Sequence, residues 1–412
     1  MAVTAKNIIV LGGATLSRLL GTLLLYALIA RAFGPQDFGE FAFWYSIGIV
    51  CGALSDYGFA QQLLINLASK DEADAKNQAE DIVFGKFALV GSFYSILVVA
   101  LVVVTTDFYH FVWVSALLAS TAAATLIEFF GVMLRARGKY EAESIRTFIS
   151  TFGANSIAAV CGYFSENMLL VCFAMFGVRI VVCVFQYKAA RECVKFNFSI
   201  FKIFDARRLL KVLRNGFLFA IDGAAVQLIS NVDLLIAKLV LTPGAIGLYL
   251  AGTRLVQAAL AGIPVLANIF VPQMVSAKEN GIDKVPRLLI YLVLIVAAGA
   301  FGICYLFSEA VPRVMFGPEF NDMKDFMPLI GLIVAVRYVG SIDGFLLSVN
   351  YKQKARAVIH LTLLSMFLLS AVVYFYNFSV EPKALASFTL LLWVLVLLVF
   401  RVVALNSKMN RG

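Results

Sequence analysis

The chain has 412 residues, of which 61% are hydrophobic and 14% charged, and it carries a net charge of +9. Soluble globular domains hold about 25% charged residues, so this composition excludes a soluble enzyme and describes an integral membrane protein. Nor does the positive balance point to nucleic acid, because the basic residues are distributed along the chain by topology and gather on no single patch.

A helix needs about 20 mostly apolar residues to cross a bilayer. On that ruler the first half predicts spans at 8-30, 38-60, 82-104, 112-134, 146-166 and 168-188. A hydrophilic, basic stretch follows at 189-214, read as a cytoplasmic linker able to lie on anionic lipid. The second half predicts spans at 215-237, 247-270, 286-307, 326-349, 357-377 and 384-404. These runs are continuous, whereas barrel strands would alternate with a period of two. The first run is too long for a signal-peptide core and lacks an A-x-A-like site, so it is read as a retained helix.

Most of the 34 Lys and Arg lie at the two ends and in the loops after even-numbered spans. The positive-inside rule then places both termini in the cytoplasm, as an even number of spans requires. The expected fold is an all-α integral membrane protein with twelve transmembrane helices in two six-helix bundles. The expected division is an N-terminal lobe over 1-188, the linker 189-214 and a C-terminal lobe over 215-412. Cys51, Cys161, Cys172, Cys183, Cys193 and Cys304 fall in or near apolar spans without a C-x-x-C pair. They read as core thiols, and neither a metal site nor a disulfide framework is expected.

One short turn is written twice. "RAFGPQDFGEFAF" at 31-43 returns as "KLVLTPGAIGLYL" at 238-250. A gapless shift of 208 residues aligns Pro35 with Pro243, Gly39 with Gly247, Ala53 with Ala261 and Lys70 with Lys278. Proline starts a turn or helix, and glycine lets backbones approach closely. Six spans per half preserve orientation, so the halves would be parallel repeats about an axis along the membrane normal. With little mass outside the membrane, substrate would be handled in a cleft that opens alternately to each side.

Four segments carry a family likeness: "GGATLSRLLGTLLL" in span one, "ARAFGPQDFGEFAFWYSIGIVCGALSDYGFAQQLLI" after it, "LRARGKYE" after span four, and "NVDLLIAKLVLTPGAIGLYLAGTRL" in span seven. Together they resemble polysaccharide, or O-antigen type, lipid-linked oligosaccharide flippases of the multidrug/oligosaccharidyl-lipid/polysaccharide (MOP) exporter superfamily. The resemblance implies a MATE-like fold and alternating access. It implies movement of undecaprenyl-diphosphate-linked oligosaccharide repeat units from the cytoplasmic to the periplasmic leaflet of a bacterial inner membrane, for O-antigen, capsule or exopolysaccharide synthesis. It implies a lipid-linked oligosaccharide and membrane lipids as partners, with a polysaccharide polymerase and a chain-length regulator. No cofactor is implied, although a proton or sodium gradient could drive the cycle. "SVNYKQKARA" after span ten lacks the glycine of "RARGKYE", a departure from the repeat. A cation-coupled multidrug antiporter of the same superfamily is the rival reading. A membrane polymerase or ligase is a third, and would expose a larger basic outside loop than 308-325, which holds only Arg313 and Lys324.

A charge near the bilayer centre costs about 2.5-3.5 kcal/mol on insertion scales. Nine residues bear that cost: Arg18, Asp56, Glu128, Arg179, Asp222, Asp233, Arg254, Arg337 and Asp343. Arg18, Arg179 and Arg337 lie deepest in their spans and are the candidates for holding a diphosphate, since guanidinium donors match phosphate oxygens. Asp56, Asp222, Asp233 and Arg254 are candidates for gating or ion coupling, with Asp233 and Arg254 expected to pair. Lys86 is expected to snorkel to the cytoplasmic interface. Gly48, Gly52 and Asp56, and likewise Gly13, Ser17 and Gly21, form small-residue stripes read first as helix contacts. With only His110 and His360, no H-E-x-x-H and no P-loop, the chain reads as a non-enzyme.

Overall fold

The computed structural model describes residues 5–67, 72–105, 107–194, 206–279, 285–350, 353–377 and 381–409. The described chain is all-helical, and nine of its helices are long and apolar enough to cross a membrane. The differences from twelve expected spans lie where the helices break. Spans one and two form a single run, α1 (Ala5–Leu54), kinked at Gly34 with φ 71° and ψ 179°. Gly34 can adopt this left-handed φ, and Pro35 just after it lacks the N–H that would continue the ladder. Span five is interrupted by a π-helical turn, and span seven splits near Asn231.

The chain forms two compact units, 1–32 with 43–227 and 33–42 with 228–412. Two features depart from the lobe boundaries drawn on the sequence. Residues 215–227 belong to the first unit, because Ala220, Ala224 and Gln227 line its cavity. Residues 33–42 belong to the second, because the Gly34 kink presents them to a partner helix there.

The first unit holds α1 on either side of that segment, α2 (Phe59–Leu67), α3 (Glu72–Val104), α4 (Phe108–Ala136), α5 (Tyr140–Phe148), the π turn Ile149–Gly153, α6 (Ala154–Ser165), α7 (Met168–Val194) and most of α8 (Ala206–Ile229). Asp107 caps α4 by accepting from the Tyr109 and His110 amides at 3.0 and 3.3 Å. Asn167 does the same for α7 through the Leu169 and Leu170 amides, satisfying donors a helix start leaves open. Helices α4 and α7 pack together, with Phe129, Phe130 and Met133 against Val182, Cys183 and Ala190 in a buried cluster. The glycine stripe of span two is a helix contact: a Cβ on Gly48 would strike the Thr121 side chain and one on Gly52 that of Thr125. Gly21 likewise lies against the Phe152 backbone of the π turn.

The second unit holds α9 (Val232–Val240), α10 (Pro243–Leu260), α11 (Gly262–Glu279), α12 (Arg287–Leu306), α13 (Ala310–Phe316), a 3-10 segment Pro318–Asp325, α14 (Met327–Val349), α15 (Gln353–Asn377) and α16 (Pro382–Met409). At its centre α14 packs on α12, α16 and α10. Here the two copies of the repeated turn meet. A Cβ on Gly39 would lie 2.8 Å from the Gly247 nitrogen and 3.3 Å from the Pro243 carbonyl, and one on Gly247 would strike the Pro35 carbonyl. Each glycine faces the other copy's proline, a reciprocal contact of the kind a two-fold axis makes. The neighbouring aligned pairs Phe38/Ile246 and Phe41/Tyr249 are all buried. Phe38 packs on Phe316 and Phe320 at 6.1 and 5.6 Å between ring centroids, so the 308–325 loop folds against the same crossing.

Because neither backbone can retreat from the other, Gly247→Ala should destabilise the protein by about 1–3 kcal/mol through overpacking, read as a lowered midpoint in thermal unfolding of detergent-solubilised protein. Gly244→Ala, in open space one turn earlier, should leave that midpoint unchanged; equal effects would refute the crossing.

Candidate functional site

Along α1 after the kink, Tyr45, Ile49, Gly52 and Ala53 recur at helical spacing and share one face, and Asp56 follows in the turn after the helix. On α4 the matching stripe is Thr121, Thr125, Glu128, Val132 and Arg135. These stripes, with Lys86 of α3, Arg179 of α7 and the Ala220–Ala224–Gln227 face of α8, enclose a cavity of about 750 Å³ within the first unit. Among the described residues three cations and two carboxylates border it, an excess of one positive charge.

The cations are held in three different ways. Arg179 is only 2% exposed and meets the cavity by an edge. Its Nε donates to the Ser150 carbonyl at 3.2 Å, one terminal nitrogen donates to Ser120 Oγ at 3.1 Å, and the other donates to the Tyr45 hydroxyl and Asn155 Oδ1, both at 3.0 Å. Ser150 sits in the π turn, whose wider ring turns a carbonyl outward, as such turns do at many functional sites. Asn155 is itself fixed by donating to Thr22 Oγ1 at 3.3 Å. Every one of these acceptors is neutral, and among the described residues no carboxylate lies within ion-pair distance of Arg179. Its charge is solvated by dipoles and remains uncancelled.

Lys86 corrects an expectation. It does not snorkel to an interface; it is fully buried, donates to Asp56 Oδ1 at 3.0 Å and lies 5.7 Å from the Phe129 ring centroid. A partner inside the protein removes the need to reach water. Asp56, by contrast, keeps a third of its side chain exposed, so the carboxylate covers the ammonium on the cavity side. Glu128 adds a second negative charge within electrostatic reach. Arg135, at the end of α4, makes no hydrogen bond or ion pair among the described residues. Measured along α4 at 1.5 Å per residue, Arg179 sits at the level of Ser120, Lys86 ~13 Å on at Phe129, and Arg135 ~9 Å beyond that.

The remaining candidates fall elsewhere. Arg18 lies in α1 and Asp222 in α8, with side chains outside the described residues. In the second unit Asp233 and Arg254 do not pair. Asp233 accepts from the Tyr249 hydroxyl at 2.8 Å and the Leu234 amide at 3.0 Å, while Arg254 donates to the Ala42 carbonyl at 2.9 Å and to Gln257 at 2.7 Å. Nearer donors engage Asp233, and nearer acceptors engage the terminal nitrogens of Arg254. Arg337 stacks 3.9 Å from the Trp393 ring centroid and donates to Ser230 at 3.3 Å. It shares with Asp233, Tyr249 and Thr389 a space of about 20 Å³, room for a water molecule at most. Of the two deep arginines whose side chains are described, therefore, Arg179 borders a cavity large enough for a phosphorylated ligand and Arg337 does not. Asp343 is taken by Arg401 at 3.0 Å. Sequence reasoning passed over Arg135, although "LRARGKYE" contains it, because it stands at a helix end where basic residues are ordinary.

The model of a family described as "Polysaccharide biosynthesis protein" matches residues 4–278. No curated protein is significantly similar in sequence. Among solved structures, the fold is similar to the lipid II flippase MurJ in an inward closed conformation, at 12% identity and TM-score 0.70, over 96% of this chain and 87% of that one. It is similar to the Vibrio cholerae MATE transporter VcmN at 13% identity and TM-score 0.64, over 98% and 97%. A MOP superfamily transporter from Pyrococcus furiosus matches at 12% identity and TM-score 0.64, over 98% and 95%.

Removing Arg179 leaves several buried acceptors without a donor, each costing about 1–3 kcal/mol. Arg179→Leu should therefore lower the thermal midpoint by several degrees, and Arg179→Lys, with three donors, by less; an Arg179→Leu protein as stable as the parent would refute the bonding scheme.

Proposed function

Because the chain belongs to the polysaccharide biosynthesis protein family, with a MATE- and MurJ-like fold, we propose that it is a flippase for an undecaprenyl-diphosphate-linked oligosaccharide. It carries repeat units from the cytoplasmic to the periplasmic leaflet of a bacterial inner membrane by alternating access, for cell-surface polysaccharide synthesis. Twelve spans in two bundles, with both termini in the cytoplasm, are the architecture that goes with this reading.

One observation supports it above the others: the cavity of the first unit is bordered by Arg135, Lys86 and Arg179, spaced along α4. A diphosphate carries charge that an apolar bilayer refuses, and cations in a low-dielectric wall offset that cost at each level. Arg135, without a competing partner among the described residues, makes the first direct contact through its planar donors. Arg179 acts mainly through its uncancelled field, since most of its N–H groups are already bonded. The sugar stays in the aqueous part of the cavity, and the prenyl chain remains in lipid. A cation-coupled drug antiporter is the second reading, favoured by the MATE likenesses and by Asp56 and Glu128 at the cavity wall. The excess of cations among the described lining residues favours an anionic cargo.

Purified protein in liposomes carrying a labelled undecaprenyl-diphosphate oligosaccharide should expose the sugar to an impermeant glycan-cleaving enzyme. Losing one charge-assisted hydrogen bond, about 1.5–3 kcal/mol, should slow exposure roughly tenfold or more in Arg135→Ala, with its thermal midpoint unchanged. No protein-dependent exposure, alongside efflux of an organic cation, would transfer the assignment to the antiporter.

A further inference from the structure

Lys86 and Asp56 pose a question that the phosphate reading alone leaves open. The ammonium stands at the cavity wall, yet a carboxylate already occupies it at 3.0 Å, and that carboxylate is the accessible member of the pair. Resting on the flippase reading, we infer that Asp56 is a resident counter-anion, a stand-in for phosphate that neutralises Lys86 in the empty cavity and is displaced when the diphosphate arrives.

The placement of Asp56 suits this exchange. It lies outside regular helix, in the turn between α1 and α2, where Tyr57 and Gly58 both take left-handed backbone angles, φ 49° and 73°. Tyr57 gains nothing from that conformation as an L residue with a Cβ. The turn is therefore held by its bonds: the Ser55 amide to the Cys51 carbonyl at 2.9 Å, the Asp56 amide to Ala53 at 3.1 Å, the Phe59 amide to Asp56 at 2.7 Å, and the Lys86 ion pair. Losing the ion pair frees Asp56 to turn into the cavity water that already reaches it. Lys86 cannot follow, because α3 and the Phe129 ring fix it. Phosphate oxygens then take the position that Asp56 leaves, so a buried cation is not left uncompensated at any stage. Asp56 on this view is a positioning residue: it keeps Lys86 in place and tunes affinity without touching the sugar. Since the turn leads directly into α2, whose Phe59 and Leu63 are wholly buried in the unit's core, the exchange also gives phosphate arrival a mechanical consequence.

The test is calorimetric binding of inorganic pyrophosphate to the full-length protein in nanodiscs. Asp56→Asn should tighten binding about five- to tenfold, Asp56→Glu should stay near the parent, and Lys86→Gln should weaken binding. In the Lys86→Gln background, Asp56→Asn should change affinity by less than twofold. Equal tightening by Asp56→Asn with and without Lys86 would mean that only the general field changed, and would overturn the exchange. If pyrophosphate binds, and Arg135→Ala abolishes binding while Asp56→Asn does not alter it, the inference falls and the flippase reading stands. If neither the parent nor Asp56→Asn binds pyrophosphate, the phosphate reading falls with it. A measurement on the unaltered protein covers the case of a variant that fails to fold. Amide hydrogen exchange at Asp56 and Phe59 should quicken severalfold when pyrophosphate binds, and unchanged or slower exchange would overturn the proposal.

Discussion

A positive charge inside an apolar wall must be solvated by something other than water, and the first unit is organised around that requirement. Arg179 is surrounded by four neutral acceptors drawn from α1, α4, α6 and the π turn. Those elements are far apart in sequence, with Tyr45 and Arg179 separated by 134 residues. One guanidinium thus fixes the mutual positions of several helices, and it does so without cancelling its charge. Lys86 solves the same problem with an ion pair whose acid is exposed. Arg135 solves it by standing at a helix end. Three solutions at three depths produce one cavity with a positive bias, and the function proposed for the chain depends on that bias.

The second unit is built on close approach. Gly39 and Gly247 cross at their backbones, each against the proline that precedes the other, and the aromatic residues beside them are fully buried. Side chains at either position would separate the helices by a methyl group or more. The same crossing is covered by Phe316 and Phe320 from the 308–325 loop. Its polar interior, Asp233 with Tyr249 and Arg337 with Trp393, leaves space for little more than a water molecule. The contrast between the two units is chemical: the first keeps charge beside an open cavity, and the second folds its charges into partners.

Much of this was legible in the sequence, and the rest was hidden for physical reasons. Hydropathy gives helices and spans because lipid demands long apolar runs, and the repeated Pro and Gly were visible because backbone geometry tolerates few substitutes. Helix interruptions were harder. A π turn at Ile149–Gly153 carries no residue signature, and the kink at Gly34 joins what hydropathy separates. The depth of Arg179 followed from its place in a span. Its lack of an acidic partner did not, since the nine buried charges invited pairing, and the pair Asp233 and Arg254 looked well matched in depth. Hydrogen-bond partners such as Tyr249 and the Ala42 carbonyl are invisible to charge counting. Lys86 was misjudged because long side chains near helix ends usually reach water, and Asp56 was read as a gating or ion-coupling candidate and as the end of a small-residue stripe, not as a partner for Lys86.

The claim that the first unit holds the phosphate is tested most directly by a structure of the protein in nanodiscs with undecaprenyl diphosphate, determined by electron cryomicroscopy. Diphosphate density within hydrogen-bonding distance of Arg135 or Lys86, with Arg179 behind it, is the predicted result. Density against Arg337 and Trp393 in the second unit, with the first unit's cavity empty, would contradict it.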